Sequence, residues 1–521
     1  MGSAAKVEQS SRRMLSNQSS NDSMEMQKRC HLGEKWIAVL FTVVASLGYV
    51  SVGTMVAWSC NAFAKLHINL DVSPAEQQQQ QQQRLTLEES DELSENQKTS
   101  LAATPALAAA ITAIAVYKLY YKIGTKAFML AAASLMIASN CLLSFGSSFW
   151  YFSVGRMLAG VAAGICFTLI PPYVDEFASK QYKSLLDNVL YVQFALGILI
   201  QLMSDLIPVT EFSSVISSAF PIFLFIGFLF LPESARYLCA TQQVNRARAV
   251  LKKTHTNDAL AVQIMENNLN HWQQSKYVAI TLRDSLRKLQ NSRIVIPTLL
   301  LIIFQQFTGA IPAMFYLTRI FTLTDGQYTP QWTAIYVAGI FVFSIPAYRL
   351  AKVNLPDYKL LLWSSLLMAA AMAGLGWHCH VQGMRGHSED YGHIPLLCAG
   401  IFIFLYAIGF QRVPWKWLDE SLDAENAFPV RAIACSISWA SLYVCVRLVP
   451  TLLTHIGVGW LFWNITIVLL FGALFLLVAF PNMDQSVIRS KTLAECNSSS
   501  TTSSSSSAST TNLGPAAEHV V

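Results

Sequence analysis

The chain has 521 residues, 53% of them hydrophobic and only 13% charged, with a formal net charge of +5. Soluble proteins carry about 25% charged residues, so the composition excludes an ordinary water-facing globule. The cations sit in loops beside apolar runs, which removes any need for a nucleic-acid surface.

Met1–Lys35 is polar and Ser-rich, has no apolar core at its start, and reads as a disordered tail (residues 1–35) rather than a cleaved leader. Apolar runs long enough to cross a bilayer follow at about Trp36–Ser59, Leu101–Tyr120, Ala127–Phe145, Tyr151–Pro172, Leu190–Leu206 and Val215–Leu231. The first contains no Asp or Glu. The loop after it carries a glutamine tract, Gln77–Gln83, and then acidic residues, which suits the outer side. Gly155, Gly160 and Gly164 fall on related faces of the fourth run, a spacing that lets helices approach closely in lipid.

The stretch Phe230–Leu238, FLPESARYL, closes the sixth run and opens a basic linker (residues 233–293) with Arg246, Arg248, Lys252, Lys253, Arg283, Arg287 and Lys288. Basic loops mark the cytoplasmic side. Glu233 and Arg236 stand three residues apart, a spacing that pairs on a helix face. Six more runs follow, at about Ile294–Tyr316, Trp332–Leu350, Leu360–Trp377, Pro395–Leu418, Ile433–Leu453 and Gly459–Phe480, before a Ser/Thr-rich tail (residues 481–521). The reading is an all-α membrane protein of twelve spans, in halves of residues 36–232 and 294–480, with both termini cytoplasmic.

Several polar residues lie inside these runs, where they are costly and face the bundle interior or water. Gln305 and Gln306 interrupt an apolar helix, and an amide offers the donor and acceptor that a sugar hydroxyl also offers. Pro414 interrupts the tenth run beside Trp415 and predicts a bend. Arg412, Lys416 and Asp419 follow one helix face at i, i+4 and i+7, so that face is expected to line water on the inner side of a substrate cavity. His378, His380, His387 and His393 cluster without the spacing of a closed metal site. No phosphate loop and no nucleophile–base pair is present, so neither an enzyme nor an ATP-driven pump is expected, and no cofactor or metal.

Four stretches resemble the sugar-porter branch of the major facilitator superfamily: Gly155-Arg156 through Pro171, Tyr173, Glu176 and Lys183; Pro232–Leu238; Gln305–Gly309 with Phe315-Tyr316; and Val413-Pro414-Trp415 with Glu420 and Arg431. The resemblance implies two pseudo-symmetric six-helix halves around a central site that opens alternately to each side. It implies substrate contacts from Gln305, Gln306, Thr308, Tyr316 and Trp415, to which the cavity reading adds Arg412. It also implies an inner gate of Glu176, Lys183, Glu233, Arg236, Glu420 and Arg431. Proton–sugar symporters of this branch place an Asp in the first span, and this chain has none, so passive transport is expected. The family's charged turn after the second span is thinned here to Tyr121–Lys126, and its counterpart after the eighth reads VNLPDYKLL. The expected function is facilitative transport of a hexose or trehalose-like sugar in the plasma membrane. Carriage of another polar or anionic solute, or sugar sensing without transport, are the alternatives.

Overall fold

In the computed structural model the described residues are 36–60, 94–146, 148–177, 183–207, 210–254, 294–324, 328–385, 393–422 and 427–480, with the isolated linker positions 263, 266 and 269. Both expected disordered tails, the glutamine tract and most of the linker beyond residue 254 lie outside them. The first half holds α1 (Trp36–Cys60), α2 (Glu95–Ile123), α3 (Thr125–Phe145), α4 (Phe149–Phe177), α5 (Lys183–Ser204) and α6 (Thr210–Phe230). Two short linker helices follow, α7 (Ala235–Ala240) and α8 (Val244–Thr254). The second half holds α9 (Val295–Phe307), α10 (Ala310–Met314), α11 (Leu317–Leu323), α12 (Pro330–Asn354), α13 (Asp357–Arg385), α14 (Ile394–Ile408), α15 (Val413–Ser421), α16 (Ala427–His455) and α17 (Gly457–Ala479). Twelve of the described spans are long and apolar enough to cross a membrane.

Lipid supplies no hydrophobic drive between helices, so small residues and interior polar groups hold them together. On α2, Ala102, Ala103, Ala106, Ala109 and Ala110 are all buried. A Cβ on Gly160 would stand 2.3 Å from the Pro105 carbonyl oxygen, and one on Gly164 would stand 2.7 Å from that of Ala109, so the expected close approach is between α4 and α2. Arg156 is fully buried in the same seam. Its guanidinium donates to the carbonyls of Met55 at 2.6 Å, Leu101 at 3.1 Å and Ala102 at 3.4 Å, and lies over the Trp58 ring, so it ties α1, α2 and α4 together. The halves meet where α2 packs along α16 and α5 along α12.

Two spans that the sequence presents as single helices are broken. Gly309 adopts φ +82°, which ends α9 and starts the short α10 in a new direction. The tenth span stops at Gly409, turns through residues 409–412, and resumes as α15 with Pro414 in its first turn. Gln305 ahead of the first break and Trp415 after the second are hydrogen-bonded to each other. Single-residue Gly124, at φ +87°, joins α2 to α3; a side chain there would strike Tyr237 and the Glu233 carboxylate.

Candidate functional site

A central cavity with about 70 Å³ of space for water centres lies between the halves. The first half contributes Tyr49, Val56, Phe167, Tyr191 and Phe194. The second contributes Gln305, Gln306, Ile311, Tyr406, Gln411, Trp415, Cys435, Ser438, Trp439 and Leu442. One wall is therefore aromatic and the other carries amides and hydroxyls. Tyr49 stacks on Phe167 at 4.4 Å, and Phe167 meets the Trp439 ring edge-on at 5.2 Å.

The breaks explain the polar wall. The end of α9 presents Gln305 and Gln306, and the turn before α15 presents Gln411. Gln305 is held on both sides: Trp415 Nε1 donates to its Oε1 at 3.2 Å, and its Nε2 donates to the Tyr406 hydroxyl at 3.3 Å. Gln306 Nε2 donates to Ser438 Oγ at 2.9 Å, while its Oε1 is buried without a partner. Gln411 Oε1 is likewise buried and unpartnered. Two residues that line the cavity thus each hold an acceptor oxygen without a protein donor, which buried amides seldom do without a reason.

The other expected contacts lie elsewhere. Thr308 is buried and bonds the Gln305 carbonyl, and the Tyr316 hydroxyl bonds the Val446 carbonyl; neither lines the cavity. Arg412 is 5% exposed, and its guanidinium is stacked between Tyr191 at 4.8 Å and Tyr348 at 4.9 Å. The expected water-lined face is resolved differently: Lys416 is bound by Asp357, and Asp419 by Arg431.

The charged residues gather at the end of the bundle where the linker joins. Glu176 accepts from Ser234 Oγ at 2.6 Å and from the Ala235 N–H at 2.7 Å, with Arg236 at 3.8 Å. Glu233 does not pair with Arg236, because α7 starts only at Ala235 and leaves Glu233 ahead of the helix. Its carboxylate instead accepts from the Lys126 N–H at 3.0 Å in the first turn of α3, where the helix dipole favours an anion. Lys126 Nζ in turn caps the end of α6 through the carbonyls of Leu229 and Leu231. Lys183 pairs with Asp175 at 3.1 Å. Arg431 donates to both carboxylate oxygens of Asp419 at 2.7 Å. Glu420 sits beside Asp419 on α15.

Sequence reasoning missed Gln411, Tyr406, Ser438 and Asp357. Asp357 opens α13 within the VNLPDYKLL turn. It collects Lys416, Lys352 at 3.7 Å and the Tyr348 hydroxyl at 3.2 Å, so this turn keeps a charge cluster of its own. The signals were present as an acid after Pro356 at a helix start and a glutamine inside an apolar run.

Across the ends, direct contacts join the halves above and below the cavity. At the end opposite the linker, Ser59 Oγ donates to the Phe315 carbonyl at 3.0 Å, Cys60 to that of Met314 at 2.7 Å, and Arg319 pairs with Glu95 at 2.8 Å. At the linker end Phe428 packs on Tyr120 at 4.8 Å and Arg412 on Tyr191.

Twelve spans in two halves, two broken helices and a polar cavity at the breaks define a membrane solute carrier of major facilitator architecture. The family model for "Sugar (and other) transporter" matches residues 52–489, and the chain belongs to that family. It is 24% identical over 384 residues to a facilitated trehalose transporter homolog of Drosophila simulans, covering 72% of this chain and 76% of that one. A facilitated trehalose transporter of Polypedilum vanderplanki is 22% identical over 361 residues, covering 69% and 71%. Among solved structures, the proton:xylose symporter XylE bound to 6-bromo-6-deoxy-D-glucose superposes with a TM-score of 0.67 at 19% identity, over 84% of this chain and 95% of that one. A partially occluded inward-open form of XylE from E. coli gives 0.65 at 18% identity, over 85% and 99%.

Proposed function

We propose that this carrier moves a neutral sugar, a hexose or a disaccharide of the trehalose type, down its gradient by alternating access. The observation that carries the reading is the cavity at the helix breaks, lined by aromatic residues together with Gln306 and Gln411, each of which has an unpartnered Oε1. A sugar brings hydroxyl donors for the amides and C–H faces for the rings. Gln305, Gln306, Gln411 and Trp415 are the contacts we assign to it. Thr308 braces Gln305, Tyr316 fixes α11 against α16, and Arg412 lies under the cavity at the linker end.

The gates are weak by design. Neutral hydrogen bonds contribute about 0.5–1.5 kcal/mol each and exposed ion pairs about 0.2–1 kcal/mol. In this reading the contacts at either end break in turn, one end at a time. Glu176, Lys183, Glu233, Arg236, Glu420 and Arg431, joined by Asp175, Asp357 and Asp419, form the gate at the linker end in this reading. That end faces the cytoplasm with both termini, since it gathers most of the membrane-flanking Lys and Arg, and the plasma membrane is the site of action. Passive transport is supported by α1, which contains no acid, and by likeness to carriers named as facilitated trehalose transporters.

The test is uptake of labelled trehalose, hexoses and polyols into proteoliposomes. One of these sugars should equilibrate without accumulating, whether or not a protonophore is present. Uphill accumulation that a protonophore abolishes overturns passive transport, and no flux of any sugar overturns the reading as a whole.

A further inference from the structure

Arg412 is the least satisfied charge in the described residues. The residue is only 5% exposed, yet no carboxylate among the described residues lies within ion-pair distance of it. The Tyr191 and Tyr348 rings lie 4.8 and 4.9 Å from its Cζ and offer π faces, not hydrogen-bond acceptors for its N–H groups. Its Nε and Nη2 are both buried and unpartnered. These two N–H groups are neighbours on the side edge of the guanidinium, the fork that holds the two oxygens of a carboxylate in parallel hydrogen bonds. Burying a charge without such a partner is costly, and stacking on rings offsets only part of that cost.

Among the described residues the surroundings do not supply the partner. Asp187, four residues before Tyr191 on α5, is the acid whose field reaches Arg412, but no ion pair joins them. Lys416, one turn further along α15, is taken by Asp357, and Asp419 is taken by Arg431. Arg349 adds positive field from α12. Arg412 does not itself line the cavity, but Tyr191, whose ring lies against its guanidinium, does, as do Gln411 beside it and Trp415 three residues on.

Resting on the sugar-carrier reading, we infer that the Arg412 Nε/Nη2 edge is a bidentate subsite for a carboxylate on the solute, so that the carrier accepts sugar acids of the uronate class and holds them more tightly than the parent hexoses. The sugar body occupies the amide and aromatic walls, and its carboxylate displaces the Tyr191 ring from the linker side of the cavity to reach the fork. Occupying the fork loosens the Tyr191–Arg412 contact between the halves, so the same event that binds the acid favours opening at the linker end.

Glucose and glucuronate differ at one carbon, CH2OH against carboxylate, and make the comparison direct. Inhibition constants for both are measured against uptake of whichever neutral sugar the proteoliposomes carry, and binding to purified carrier is measured in parallel by thermal shift. A charge-assisted bidentate contact predicts a glucuronate constant at least tenfold lower than that for glucose in the unaltered chain. In Arg412→Gln the ratio of the two constants should fall to about one or below, and Arg412→Lys, a point charge without the fork, should fall between. Glucuronate no better than glucose in the unaltered chain overturns the inference, as does a preference that survives Arg412→Gln. If no neutral sugar is moved at all, the sugar-carrier reading fails. The thermal shift then judges the subsite separately: selective stabilisation by glucuronate supports it and none overturns it.

Discussion

Adjacent glutamines at the end of α9 look equivalent in the sequence, and the structure predicts that replacing them has opposite consequences. Gln306→Leu removes one bond, Nε2 to Ser438 Oγ, and also removes a buried acceptor that has no partner. An interhelical hydrogen bond in a membrane averages about 0.6 kcal/mol, whereas an unsatisfied buried polar group costs about 1–3 kcal/mol. The relief outweighs the loss, and the folded carrier should melt no lower than the parent. The solute, however, loses the acceptor that its hydroxyl would use, about 0.5–1.5 kcal/mol, or a several-fold to tenfold rise in KM. For stability Gln305→Leu is the reverse case. Both ends of that amide are already engaged, so the change strands Trp415 Nε1 and unties α14 and α15 from α9. It should cost about 1–2 kcal/mol of stability. Concentration-dependent uptake and melting of the purified variants separate the two outcomes. Equal melting temperatures together with unchanged KM in both variants, at normal surface expression, would refute the assignment of this amide wall to the solute.

Other expectations follow from the same contacts. Arg156→Met removes three backbone bonds in the α1–α2–α4 seam and should lower stability by about 2 kcal/mol or more, read as reduced surface expression and an earlier melt; parent-like melting would contradict its bracing role. Gly160→Val drives a branched side chain into the Pro105 carbonyl and should prevent folding, with a normal surface signal as the contrary result. Because Arg431 is held by Asp419, Asp419→Asn should expose a cysteine introduced at the linker end of α16 to thiol reagents more than Glu420→Gln does; the opposite ranking would return the gate to Glu420. Lys416→Met leaves Asp357 with Lys352 and Tyr348 alone and should raise the same linker-end reactivity, measured as labelling rate, while unchanged labelling would make the Asp357 cluster purely structural.

Much of this protein is written locally. Twelve runs of apolar residues have to become helices in lipid, because every backbone polar group must be bonded within its own segment. Gly160, Gly164, Pro414 and the Gln305–Gln306 pair are visible to any reader of the chain, since their effect on packing, on helix continuity or on burial depends on their own chemistry. Partner choice is different. The bonds that separate Gln305 from Gln306 come from Tyr406, Trp415 and Ser438, more than a hundred residues further along. The spacing of Glu233 and Arg236 suggests a pair, yet where α7 begins sends one to α3 and the other to Glu176. Likewise, Arg412 reads as a water-facing cation in its own helix, and only the arrival of Tyr191 from one half and Tyr348 from the other encloses it. Periodicity and polarity act within a window of residues and can be read there. Which edge of a buried side chain is left unbonded is decided when the two halves close on each other.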